Sequence, residues 1–228
     1  MHILLDVRKE FVAQSLTIQN LQRDFYQWHL GRSRFAFWAL DVDCAAVRLQ
    51  MQAAQQHLRD FIMPDYLRQP HVTLGISGFL SPEPKHADDY DVHAFELDVQ
   101  ALINANLKPF AIDIGVLNSF HSAPFYHVSD ITGSNLSRLN NFLHRYRDDR
   151  HGKYVPHVTV GLYAKQIRTS HVMKTIDAFG LNTVTRLLVK RVSLMSYAAS
   201  EIGGKLEIIA DFDLEKAEIN WRTNSPFN

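Results

Sequence analysis

The sequence predicts a mixed helix-and-strand protein whose two lobes pack into one unit. Three observations carry that reading. Segments with helical spacing of apolar residues alternate with short runs of strand character. A helix followed by a Pro-His-Val-Thr strand occurs twice: Pro70–Gly75 and Pro156–Gly161 agree at five of six positions. Each half holds too few elements to bury a core alone, so the halves must share one.

Taken in order, residues 6–30 read as a helix. Val7, Phe11, Leu16, Ile18, Leu21, Phe25 and Trp28 are roughly helix-spaced, and Gly31 is a stop signal. Phe35–Leu40, FAFWAL, is a buried strand. Asp41 or Asp43 caps the next helix, over 44–62, which is rich in Ala, Gln and Leu and ended by Pro64. Val72–Leu80 is a strand. Residues 81–95 carry two prolines and four acids and read as a loop. Phe95–Val99 is expected as a strand and Leu102–Leu107 as a turn or short helix. Phe110–Leu117 alternates, with Ile112, Ile114 and Val116 on one face. Pro124–Val128 is a strand, Gly133–Arg147 a helix that includes Tyr146, and His157–Tyr163 a strand. Thr169–Phe179 is a helix and Thr185–Met195 one long strand. Gly203–Gly204 turns the chain into a last strand, Leu206–Phe212.

With 228 residues, 46% apolar and 21% charged, the chain has the composition of a globular protein with a sizeable core. No apolar run is long enough for a transmembrane helix, and no membrane partner is expected. The N-terminus, MHILLDVRKEF, shows no basic leader and no small-residue cleavage site, so no signal peptide is expected. The lone Cys44 fits a reducing compartment, and the location expected is the cytoplasm. Net charge is zero. A protein that coats nucleic acid has a basic excess, so any nucleic-acid contact here is local.

The repeated motif carries the chemistry. Side chains alternate along a strand, so His71 and Thr73 share one face while Val72 and Leu74 face the core. His157 and Thr159 relate to Val158 and Val160 in the same way. Pro70 and Pro156 suit strand starts, and Gly75 and Gly161 suggest close backbone approach. Each motif thus offers an imidazole and a hydroxyl. Facing each other across a cleft, one imidazole can accept a proton while the other donates one. The two hydroxyls can hydrogen-bond phosphoryl oxygens. A lone His-x-Thr is a weak signal in a chain with 12 histidines. His127-Val128-Ser129 is such a near-miss, lacking the flanking proline and glycine, and is at most cleft lining.

At these residues the sequence resembles the two-histidine (2H) phosphoesterase superfamily. Its signature is a pair of His-x-Thr/Ser-x motifs about 80 residues apart; here the histidines are separated by 86. The resemblance covers roughly residues 34–213, with residues 1–32 as an N-terminal helical extension and 33–228 as the bilobal domain. It implies an α+β fold of two antiparallel sheets with outer helices, related by a pseudo-two-fold axis, with one motif from each in the cleft between them. It implies cleavage or formation of 2′-linked phosphodiesters without metal or other cofactor. His71 and His157 would be the acid–base pair, and Thr73 and Thr159 would hold the phosphate. For cyclic phosphate hydrolysis the first assignment is His157 as base and His71 as acid, with the reverse left open. Implied partners are RNA ends, cyclic nucleotides or short 2′-5′ oligonucleotides. Basic residues often flank the motifs in bacterial ligase-like members; here the neighbours are Arg68, Lys153 and Lys165.

Other residues admit two readings. Phe120, Phe125, Tyr126, Tyr163 and Tyr197 could stack on a base or fill the core. His121 and His127 lie near the expected cleft, and His144 and His151 lie before the second motif. HADDYDVH, 86–93, has metal-ligand composition and also reads as a polar loop. A binding module on the same fold, and a metal-dependent hydrolase using 86–93, are the alternatives to a two-histidine enzyme.

Overall fold

The computed structural model describes residues 2–143, 154–181 and 183–227. Helices are α1 (His2–Ala13), α2 (Tyr26–His29), α3 (Ala45–His57), α4 (Val92–Ala105), α5 (Asn135–Leu143) and α6 (Thr169–Asp177). Strands are β1 (Arg34–Asp41), β2 (His71–Leu80), β3 (Asp89–Tyr90), β4 (Phe110–Ser119), β5 (Pro124–Asp130), β6 (His157–Thr159), β7 (Thr185–Val189), β8 (Arg191–Ala198), β9 (Glu207–Asp213) and β10 (Glu218–Trp221). They form two sheets, one of six strands in the order β10-β9-β8-β1-β2-β3 and one of four in the order β6-β5-β4-β7. Among the described residues, all pairings are antiparallel except the short β2–β3 pair. This is the expected α+β, two-sheet architecture.

The halves do not map onto the sheets in sequence order. β7 pairs with β4, whereas β8 pairs with β1 and β9. The run expected as one strand, Thr185–Met195, therefore passes from one sheet to the other at Lys190. No glycine or proline marks the break, so strand spacing alone could not reveal it. One core serves both sheets: Trp38, Leu40, Val72 and Leu74 of the larger sheet cluster with Ile112, Ile114, Val128 and Val158 of the smaller.

Three further expectations change. Residues 6–30 are not one helix. α1 ends at Ala13, residues 14–25 run extended or irregular, and α2 is one turn long. Leu16, Ile18 and Leu21, which completed the helical spacing, are exposed. Main-chain bonds hold this stretch instead: Leu16 bridges Arg168, and the Thr17 amide donates to the Ile167 carbonyl at 2.9 Å. The strand expected over Phe95–Val99 belongs to α4. Asp91 caps that helix by accepting from the Ala94 amide at 2.8 Å, and Phe95, Asp98, Leu102 and Ala105 form its buried stripe. In β4, Val116 leaves the face it was expected to share with Ile112 and Ile114. A bulge between Gly115 and Leu117 puts Val116 at φ +56° and exposes it.

The second motif strand is shorter than expected: β6 covers only His157–Thr159, and Tyr163 makes an isolated bridge with Ile62. The expected helix over 133–147 is described only as α5; Tyr146, His144, His151 and Lys153 lie outside the described residues. The helix expected over 44–62 also stops early, at His57, although the chain stays buried at Phe61, Ile62 and Met63.

Each motif strand is braced by the helix of the other half. Asn140 of α5 donates its side-chain amide to the Leu74 carbonyl at 2.8 Å, and Gln55 of α3 donates to the Val160 carbonyl at 3.0 Å. Leu74 and Val160 each stand three residues after their histidine. The glycines that follow permit this contact. A Cβ on Gly75 would overlap the Leu143 carbonyl, and a Cβ on Gly161 would press on the Ile62 side chain. The pseudo-two-fold relation is visible in these paired contacts.

Candidate active site

β2 and β6 carry the motifs with the predicted alternation. Val72, Leu74, Val158 and Val160 are at most 1% exposed, while Thr73, His157 and Thr159 remain half-buried. Both imidazoles are held in one way. His71 Nδ1 bonds the Gln69 carbonyl at 2.8 Å, and His157 Nδ1 bonds the Val155 carbonyl at 2.8 Å. A carbonyl only accepts, so each Nδ1 carries the proton in the neutral ring and each Nε2 keeps its lone pair. Phenylalanines fix the ring planes. Phe37 lies 5.4 Å from the His71 ring, and Phe120 and Phe125 lie 4.9 and 5.5 Å from that of His157.

His71, Thr73 and Thr159 line a single open cavity of about 330 Å³ with Tyr66, Arg68 and Tyr197. His157 stands beside it, on the strand face it shares with Thr159. Burial pushes the His71 imidazole down to about 4, and the positive charges of Arg68 and of protonated His157 push it the same way. Burial also lowers His157, partly offset by the Val155 carbonyl. The charge of His157 is thus felt at His71. His127 sits directly opposite His157 across the β5–β6 pair, on the same sheet face, and burial depresses it to about 4. The near-miss motif is thus placed next to the second motif.

The neighbours of the threonines could not be read from the motif. Tyr154, three residues before His157, donates its hydroxyl to the Thr73 carbonyl at 2.8 Å. The Tyr66 hydroxyl, five residues before His71, meets the Thr159 side chain. Burial drives the Tyr66 phenol up to about 12, so it stays protonated. The Arg68 guanidinium lies 3.9 Å from the Tyr197 ring centre, and its buried Nε has no hydrogen-bond partner among the described residues.

A model of the 2′-5′ RNA ligase superfamily matches residues 44–201, more than half the chain and both motifs. The chain belongs to the 2′-5′ RNA ligase superfamily. Membership in this superfamily supports a phosphoesterase-type enzyme. No curated protein matches the chain significantly by sequence. Among solved structures, it is similar to Escherichia coli LigT complexed with 3′-AMP (TM-score 0.44, 17% identity, covering 80% of this chain and 98% of that one). It is also similar to TT0787 of Thermus thermophilus (TM-score 0.45, 20% identity, covering 79% and 97%).

The other sequence candidates in this superfamily member sort by burial. Phe125, Tyr126 and Tyr163 are at most 2% exposed and belong to the interior, whereas Tyr197 lines the cavity. Phe120 stacks on Phe125 at 4.1 Å, behind His157. His121 packs edge-on against Phe11 of α1. Lys165 is exposed and does not line the cavity. In the 86–93 segment, Asp88 and Asp89 accept from Arg32 at 2.6 and 2.7 Å, and Asp91 caps α4. These acids serve the fold, and no three His, Cys, Asp or Glu among the described residues are grouped to hold a metal ion. No helix among the described residues is long and apolar enough to cross a membrane.

Proposed function

We propose that this protein hydrolyses 2′,3′-cyclic phosphate ends, or 2′-5′ linkages, of nucleotides or short RNA by metal-independent acid–base catalysis. His71 and His157 are the proton-transfer pair, and Thr73 and Thr159 hold the phosphoryl oxygens. The observation that carries the reading is the matched Nδ1-to-carbonyl bond on each histidine, which leaves Nε2 of both rings available for proton transfer. Arg68, a cation that lines the same cavity, supports an anionic ligand.

The charges are not symmetric, and this favours an order opposite to the first assignment. His71 is depressed by burial and again by Arg68; among the described residues His157 has no such cation acting on it. The ring that loses its proton more readily suits the base, and the other suits the acid. In cyclic phosphate hydrolysis, His71 Nε2 takes a proton from water as its oxygen bonds phosphorus. The bond from phosphorus to the ribose 3′-oxygen breaks, and His157 Nε2 gives that oxygen its proton. The product is a 2′-phosphate. In 2′-5′ ligation a ribose 5′-hydroxyl takes the place of water: His71 Nε2 takes its proton as the 5′-oxygen bonds phosphorus, the 3′-oxygen leaves with the proton from His157 Nε2, and the product is a 2′-5′ phosphodiester.

The test is turnover of 2′,3′-cyclic AMP in EDTA by wild type, His71→Ala and His157→Ala, with the product identified. The expected outcome is a 2′-phosphate from the wild type and a loss of about 10²–10⁴ in kcat for each variant. Near-native turnover by either variant overturns the mechanism. Binding without turnover of cyclic or 2′-5′ substrates leaves the binding-module reading in its place.

A further inference from the structure

The N-terminal segment is fastened to both lobes. Toward the smaller sheet, the Ile18 amide donates to the His121 carbonyl at 2.8 Å and the Asn20 amide to the Tyr163 carbonyl at 2.9 Å. The Asn20 side chain donates to the Ser122 carbonyl at 2.9 Å. Toward the larger sheet, Trp28 packs on Phe35 and Phe79, with ring centres 5.0 and 4.8 Å away. Arg32 then holds Asp88 and Asp89. Between these two moorings, Asn20, Phe25 and Trp28 line the same cavity as His71, Thr73 and Thr159.

The cavity lining is chemically mixed. His71, Thr73, Thr159, Tyr66, Arg68 and Glu201 are its polar and charged part, and Phe25, Trp28, Leu162 and Ile202 its apolar part. A volume of about 330 Å³ is at the lower end for a small-molecule site and suits a ligand of mononucleotide size. Trp28 keeps 41% of its surface exposed although Phe35 and Phe79 pack against it. Phe25 is half-buried, with the Arg23 guanidinium 4.8 Å from its ring centre.

We propose that Phe25 and Trp28 form a nucleobase subsite, so that the N-terminal segment supplies the surface on which the ligand's base stacks while its phosphate sits at the histidines and threonines. This rests on the function proposed above for those residues. Stacking accepts any base, because every base presents a π-face. The Asn20 side-chain amide is already spent on the Ser122 and Tyr163 carbonyls, so its donors do not read base edges. The subsite thus distinguishes a nucleotide from a bare sugar phosphate and hardly distinguishes one base from another.

The experiment compares binding of adenosine 2′-monophosphate and ribose 2-phosphate to wild type and Phe25→Ala by calorimetry. The wild type is expected to bind the nucleotide about ten-fold tighter, and Phe25→Ala to lose most of that preference while binding ribose 2-phosphate unchanged. Phe25→Leu keeps apolar bulk without a ring and is expected to lose the preference too, which guards against a misfolded alanine variant. Equal wild-type affinity for the two ligands, no binding of either, or a preference retained in Phe25→Leu overturns the subsite. The functional reading fails separately, if the wild type binds the nucleotide yet turns over no cyclic phosphate.

Discussion

The hydroxyl of Tyr154 donates to the main-chain carbonyl of Thr73 at 2.8 Å, joining the approach to one motif to the strand of the other. Tyr66 and Thr159 form the reciprocal contact. Each threonine is therefore met by a tyrosine from the opposite half, which ties the two motifs together at the residues proposed to hold the phosphate. Tyr154→Phe removes one such tie. It is expected to lower stability by about 1 kcal/mol, the usual net worth of a buried hydrogen bond. It should also lower kcat more than it raises KM, because the two motifs lose register. Urea denaturation and steady-state kinetics on a cyclic nucleotide check both effects.

Removing Arg68 tests the charge asymmetry. Arg68→Gln takes away a cation that depresses His71, so the His71 imidazole is expected to rise, though only partway, since burial is the larger cause. NMR titration of His71 reads the shift directly. In the same variant KM for an anionic substrate should increase, because the cavity loses the positive charge of one of its lining residues. An unmoved His71 titration would remove Arg68 from the account.

The motifs, their strand faces and the two-lobed α+β plan were legible because period-two alternation and a duplicated hexapeptide are local signals. His71 with Thr73, and Val72 with Leu74, needed only the strand geometry. What was not legible is held by contacts between distant residues. Tyr66 and Tyr154 carry no motif of their own. The Thr185–Met195 run hides a change of sheet at Lys190, where no turn residue stands. Leu16, Ile18 and Leu21 imitate a helix stripe, yet main-chain bonds to Ile167, His121 and Tyr163 keep that stretch extended. Phe95–Val99 has strand character on its own, and only the Asp91 cap, itself inside a loop-like stretch, assigns it to α4.

Catalysis should respond to pH differently in the free and bound states. Both imidazoles lie below the ordinary 6.5 in the free protein. The profile of kcat/KM reports the free enzyme, so its alkaline limb, where the acid loses its proton, is expected below about pH 6.5. A bound phosphate anion favours protonated histidine, so the kcat limb should lie at higher pH. Steady-state rates between about pH 4 and pH 9 give both profiles. Coincident limbs would show that phosphate does not sit beside the imidazoles. The apparent values belong to the pair, not to one ring.

Stability should fall with acid for the same reason. Above about pH 6.5 the native and unfolded chains both hold His71 neutral. As pH falls toward 4, the unfolded chain binds a proton that the native chain refuses, and stability is lost across that window. His71 alone contributes up to about 3 kcal/mol of this loss, and His157 and His127 shift in the same direction. His71→Asn is expected to flatten the slope of the urea midpoint against pH between about 6.5 and 4. An unchanged slope would mean that His71 takes up its proton in the native state without penalty.

The two motif glycines should not be equivalent. At Gly75 an added Cβ meets the backbone carbonyl of Leu143 at the end of α5, which cannot turn aside. At Gly161 it meets only the Ile62 side chain, which can give by a few tenths of an ångström. Gly75→Ala is expected to cost about 1–3 kcal/mol, the range for forcing extra carbon into a packed interior, and Gly161→Ala clearly less. The Gly75 substitution also pushes α5 away from β2, lengthening the bond from Asn140 to the Leu74 carbonyl that braces the first motif. Its activity should therefore drop beyond what the unfolded fraction explains. Comparing the urea midpoints and the specific activity of the folded fraction of the two variants tests this. Equal losses at the two glycines would mean that α5 yields as readily as a side chain does, and that its brace on β2 does not position His71.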